Sequence, residues 1–95
     1  MPALVIANIT IVDPVRYEDY RRMVPATLVP FGGRFVVRGG QTEVLEGEWR
    51  PSRLVLLEFP SVERARAWWN SPEYAEARAL RQATFIGTLI ILEGV

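Results

Sequence analysis

Ala3-Leu-Val-Ile-Ala-Asn-Ile-Thr-Ile-Val12 is aliphatic at odd and even positions alike. A strand with one wet face alternates apolar and polar residues, so a strand of this kind has both faces covered. Val5, Ala7, Ile9 and Ile11 share one side, while Leu4, Ile6, Asn8, Thr10 and Val12 share the other. Phe85-Ile-Gly-Thr-Leu-Ile-Ile-Leu92 repeats the pattern near the carboxyl end. The chain's 95 residues leave room for one hydrophobic core, which places both stretches in a single domain spanning residues 1–95.

The segments between these strands predict two helices and a hairpin. Asp13-Pro14 reads as a helix cap followed by a first-turn proline, and Tyr17, Tyr20, Val24 and Leu28 then form one stripe at helical spacing. Pro25 removes a backbone donor and predicts a kink or restart near Val24; Pro30, Gly32 and Gly33 end the element. Arg34–Arg38 reads as a second strand with Phe35 and Val37 on one face and Arg34, Val36 and Arg38 on the other. Gly39-Gly40 predicts a bend within this strand, because Thr42-Glu-Val-Leu-Glu46 resumes the extended pattern before Arg53–Phe59 returns as the third strand. Ser61 caps a second helix carrying Val62, Ala65, Trp68 and Trp69. Ser71-Pro72 stops and restarts that helix, and Tyr74, Ala77 and Leu80 continue its apolar side.

The order strand, helix, strand, strand, helix, strand, with right-handed crossovers, gives an α+β, ferredoxin-like βαββαβ fold. Its four-stranded antiparallel sheet carries two broken helices on one face, with the first and third strands central and the fourth at an edge. Those helices cover one side of the sheet only. Leaving the aliphatic residues of the other side in water would forfeit roughly 1.5–3 kcal/mol for each large side chain, and the resulting patch exceeds what monomers usually expose. A second copy packed sheet to sheet supplies the cover, so the expected partner is the chain itself, as a two-fold homodimer with a barrel-like core.

Composition removes many chemistries. Eleven Arg balance eleven Asp and Glu, with no Lys, His or Cys. No basic field is available for a phosphate backbone or a membrane surface, and disulfides, thiolates, imidazole catalysis and the usual zinc sites are absent. Carboxylates show no loop spacing diagnostic of a hard cation, so neither a metal nor any other cofactor is expected. No apolar run approaches the length of a membrane span and no secretory leader pattern opens the sequence, which makes a cytoplasmic setting the expectation.

The candidate site residues are the polar and aromatic groups planted among apolar positions. Asn8 lies in the middle of a central strand, where its amide needs a partner: a neighbouring loop or a wet cavity. Arg34 and Arg38, about 13 Å apart at strand rise, share a face and can aim bidentate donors at one cleft, or pair with Glu43, Glu46 or Glu58. Glu58 is the sole carboxylate of its strand; buried, it is a candidate general base, whereas ion pairing with Arg34 or Arg38 would hold it inert. Tyr17, Tyr20, Trp68, Trp69 and Tyr74, with Trp49 on the hairpin turn, form an aromatic set that reads as core or as pocket lining, and Tyr17, Tyr20, Trp68 and Tyr74 are its candidate ligand contacts. Ser71 opens a helix amino terminus that can receive an anion or simply be capped, with Arg78 one turn beyond Tyr74. Tyr20, Arg38 and Glu58 are the candidate catalytic residues.

Gly32-Gly33-Arg34-Phe35, Arg38-Gly39-Gly40, Leu45-Glu46-Gly47, Trp49-x-Pro51-x-Arg53, Glu58-Phe59-Pro60-Ser61, Ala67-Trp68, Ser71-Pro72-Glu73-Tyr74, Arg78 and Glu93-Gly94 together resemble the family called domain of unknown function 1330. The resemblance spans nearly the whole chain. It implies membership of the dimeric α+β barrel superfamily, whose relatives include cofactor-independent monooxygenases and muconolactone isomerases, and it implies no particular reaction.

The leading expectation is a homodimer whose pocket between helices and sheet binds a small, partly apolar anionic or aromatic molecule, with metal-free catalysis by Tyr, Arg and Glu58 as its enzymatic form. The alternative is a structural or regulatory dimer without ligand. An RNA-binding module of the same element order would need aromatic platforms and basic charge on the central strands, and Val5–Ile11 and Leu54–Phe59 offer neither.

Overall fold

The computed structural model describes residues 1–95. Strand β1 (Ala3–Ile11) leads through the Asp13 cap, whose carboxylate accepts from the Arg16 amide, into helix α1 (Pro14–Leu28). A 3₁₀ turn (Val29–Phe31) follows and ends at Gly32, which is left-handed at φ 70°. Strands β2 (Arg34–Arg38) and β3 (Arg53–Phe59) come next. Helix α2 (Val62–Trp69) stops two residues short of helix α3 (Pro72–Thr84), and strand β4 (Phe85–Glu93) closes the described elements. Ser61 and Ser71 cap the two helices through the amides of Arg64 and Tyr74.

The sheet order is β2-β3-β1-β4, with every neighbouring pair antiparallel. As expected, β1 and β3 are central and β4 is an edge. All helices lie on one face, so the molecule is a two-layer slab measuring 37 × 36 × 16 Å. Ala3, Val5, Ala7 and Ile9 of β1, with Leu57 and Phe59 of β3, turn toward the helices and are buried. Val5, Leu57 and Phe59 meet Val24, Leu28, Ala65, Trp68, Tyr74 and Ala77 in the main core, while Tyr17 and Phe85 close a second cluster over Ala7 and Ile9.

Three local expectations need correction. Helix α1 does not restart at Pro25; it continues through that residue as one element. The amide that Pro25 lacks would have served the Arg21 carbonyl, and Arg38 Nη2 donates to that carbonyl instead, at 2.8 Å. The 42–46 segment forms no strand, and Gly39 ends β2 with φ 72° rather than bending it. Residues 41–50 are all exposed, and without a facing strand the Thr42–Glu46 pattern finds neither ladder bonds nor a surface to bury its apolar side. The sheet irregularity lies earlier, where Phe35 pairs with Leu57 but Val37 pairs with Leu56, leaving Val36 as a bulge.

That bulge reverses the faces of β2. Arg34 pairs with Glu58 on the open side of the sheet, whereas Arg38 pairs with Val55 on the helical side. Arg34 and Arg38 therefore do not share a face, contrary to the reading from strict alternation. The open face carries Leu4, Ile6 and Asn8 of β1, Leu54 and Leu56 of β3, and Ile86, Ile90 and Leu92 of β4. In the isolated chain the β4 residues are 65%, 53% and 49% exposed. Gly87 permits the tight β1–β4 pairing: at φ 154° a side chain is strained, and a Cβ there would collide with the Asn8 carbonyl.

Candidate functional site

The helical face holds an apolar slot between α1 and the sheet. Val5, Ala7, Val55, Leu57 and Leu89 form its floor, and Tyr17, Tyr20, Val24 and Trp68 form its roof. The free space between these walls is about 30 Å³. That is space for ordered water, and a larger guest must part the walls. Polar groups converge at the two ends. Phe35, Arg21 and Arg38 stand at the β2 side, and Phe85 and Arg81 stand at the β4 side.

Arg38 is fixed from two directions. Its guanidinium lies 4.2 Å from the centre of the Phe35 ring and donates to the Arg21 carbonyl freed by Pro25. Arg81 is only 8% exposed, and its guanidinium lies 4.5 Å from the centre of the Phe85 ring. The ion pairs of the chain are Arg21–Glu18, Arg22–Asp19 and Arg34–Glu58, so the buried Arg81 charge has no carboxylate partner. It borders both the slot and the wide groove outside β4, where Trp69, Gln82 and Ile86 continue the wall.

The Tyr20 and Tyr74 hydroxyls meet at 2.8 Å beside this end of the slot. Burial pushes both above the ordinary tyrosine value, and the neighbouring Arg81 charge opposes the rise without cancelling it. Both rings therefore remain neutral hydrogen-bonding groups at physiological pH. Tyr17 stacks edge-on against Phe85 at 5.5 Å, and the Trp68 indole, 4.1 Å from the Tyr74 ring, donates to Thr27 Oγ1.

The remaining predicted site residues are employed elsewhere. Asn8 faces the open side, where its Oδ1 accepts from the Ser52 amide and ties down the end of the 39–52 loop. Glu58 is also on the open side, held by Arg34 Nη2 at 2.6 Å and Nε at 2.9 Å; it lies across the sheet from the slot and cannot act there as a base. Ser71 fills its helix terminus itself: its hydroxyl accepts from the Tyr74 amide and donates to the Trp68 carbonyl. Arg78 donates to the Trp69 carbonyl and braces the α2–α3 joint. Of the candidates, the structure brings together Tyr17, Tyr20, Arg38, Trp68 and Tyr74.

Arg81 was not among the expected site residues, although the signal is present. Continuing from Tyr74 and Ala77 at spacings of four and three reaches Arg81 and Thr84, which are buried, rather than Leu80, which is half-buried.

Several solved structures share this fold. The RPA0582 protein of unknown function from Rhodopseudomonas palustris is 22% identical with a TM-score of 0.79, covering 99% of this chain and 82% of that one. SnoaB, a cofactor-independent oxygenase from Streptomyces nogalater, is 11% identical at a TM-score of 0.67, covering 99% and 93%. A dimeric protein of unknown function and ferredoxin-like fold from Bacteroides fragilis is 14% identical at 0.63, covering 98% and 96%. No curated protein matches the sequence. The family model described as domain of unknown function (DUF1330) matches residues 2–95, essentially the whole chain, and the protein belongs to that family.

Proposed function

We propose that the chain forms a homodimer packed sheet to sheet, and that the slot between helices and sheet binds a small, partly apolar anion. Arg81 carries the ligand reading. It is 8% exposed and has no carboxylate partner, and an anionic guest supplies a counter-charge where it borders the slot. The aliphatic floor and aromatic roof suit an apolar body, and the neutral Tyr20–Tyr74 pair adds a hydrogen-bonding group beside the guanidinium.

No carboxylate lines the slot. Its chemistry is therefore the holding of negative charge by preorganised donors, the requirement of a reaction that passes through an enolate or phenolate. The fold shared with a cofactor-independent oxygenase supports that enzymatic form of the reading. The open face with its exposed Ile86, Ile90 and Leu92 supports the homodimer, as does the dimeric neighbour of the same fold.

A second reading, a structural dimer without ligand, draws on the water-sized free space and on the pairing of Arg34 with Glu58. Thermal denaturation with a panel of small carboxylates and phenols separates the two. The ligand reading expects a rise in Tm for some anions, reduced in Arg81→Met. No rise with any of them favours the structural dimer.

A further inference from the structure

We infer that the guest is a flat molecule with two acidic groups, one held at each end of the slot by Arg38 and Arg81; this rests on the anion-binding reading above. Arg38 belongs to β2, and Arg81 lies one turn before β4. These strands are the opposite edges of the sheet, three strand spacings or roughly 14 Å apart. Both guanidiniums border the same slot between those edges, each stacked on the aromatic ring of its own end, Phe35 or Phe85. A guanidinium stacked on a ring keeps its edge N–H groups free for planar, bidentate recognition of an acid.

Neither arginine has a carboxylate partner, and Arg38 has a single hydrogen bond, to the Arg21 carbonyl. A guest with one acidic group would use one guanidinium only, whereas a second acidic group adds a charge-assisted contact at the exposed Arg38. Between the ends the floor is aliphatic, from Val5 and Ala7 to Val55 and Leu57, so the body joining the acids is apolar. The slot is thin, with little more than water-sized space between floor and roof. A planar conjugated body opens such a slot least, and Tyr17, Tyr20 and Trp68 offer it ring faces.

Isothermal titration of the full chain at pH 8 with benzoate, terephthalate and trans-cyclohexane-1,4-dicarboxylate tests this. The expected result is terephthalate binding about tenfold tighter than benzoate, the effect of one added charge-assisted contact, with the puckered cyclohexane diacid weaker than terephthalate. Arg38→Met, at an exposed position, should erase the diacid preference while keeping benzoate binding, and Arg81→Lys, which retains charge but loses the planar fork, should weaken all three. Equal affinity for benzoate and terephthalate, or a preference that survives Arg38→Met, overturns the two-acid inference and leaves the anion site standing. A cyclohexane diacid as tight as terephthalate overturns the flat body. Failure of all three to bind overturns this inference together with the anion-binding reading.

Discussion

Arg38 Nη2 donates to the backbone carbonyl of Arg21 at 2.8 Å, and that acceptor is free because Pro25 has no amide to offer it. One proline inside α1 thus anchors a β2 side chain at the mouth of the slot. Pro25→Ala returns the helical donor and relieves a helix-interior proline, a change worth up to about 3 kcal/mol in favour of the helix. Urea denaturation should show the variant more stable than the parent. Arg38→Met in the parent should cost about 1 kcal/mol, the usual size of one hydrogen bond, and less in the Pro25→Ala background. Equal costs in both backgrounds would contradict the link.

Tyr20→Phe leaves the buried Tyr74 hydroxyl without its partner, and Tyr74→Phe does the reverse. Each should destabilise by about 1–3 kcal/mol, the cost of an unsatisfied buried polar group. The double variant should lose less than the two single losses combined, because it removes both groups of the pair. Full additivity would mean that the hydroxyls do not interact.

Alkaline pH reports on the same pair. Burial raises both tyrosines above their unfolded value, so the folded state holds protons that the unfolded state releases above about pH 10. Their stabilising contribution is whole below that pH and is lost as pH rises toward the folded values. With no Lys and no Cys in the chain, tyrosines are the side chains of the unfolded state that release protons there. Tm should fall as pH rises above about 10, and the fall should be shallower in Tyr74→Phe. A flat profile would contradict the burial of the hydroxyls.

Gly87→Ala should cost several kcal/mol, because its Cβ collides with the Asn8 carbonyl of the paired strand and backbone there cannot move without breaking the β1–β4 ladder. Gly47→Ala, in the loop with open space around it, isolates the backbone penalty of positive φ from collision and should cost less. Equal losses would place the burden on φ alone.

The element order, the sheet and the two serine caps were legible because each rests on local chemistry: periodicity, a capping hydroxyl, a first-turn proline. The face of Arg38 was not, since a bulge at Val36 depends on how β2 meets β3 and carries no residue signature of its own. The missing 42–46 strand has the same origin, because alternation in that segment is sufficient for a strand only when another strand lies opposite. Glu58 admits two readings from sequence, a buried general base or an ion pair, and its carboxylate pairs with Arg34 on the open face, across the sheet from the slot. Arg81 is not legible as a site residue, because an arginine on a helix reads as solvated unless the stripe is followed through Tyr74, Ala77 and Thr84.

Sedimentation equilibrium at micromolar concentration tests the origin of the whole arrangement, namely the aliphatic character of both faces of β1 and β4. The account predicts a particle of twice 10.8 kDa. It also predicts that Ile90→Arg, on the open face, shifts the population to monomer. A parent chain that sediments at 10.8 kDa under these conditions, with Leu4, Ile6, Ile86 and Ile90 left in water, would contradict it.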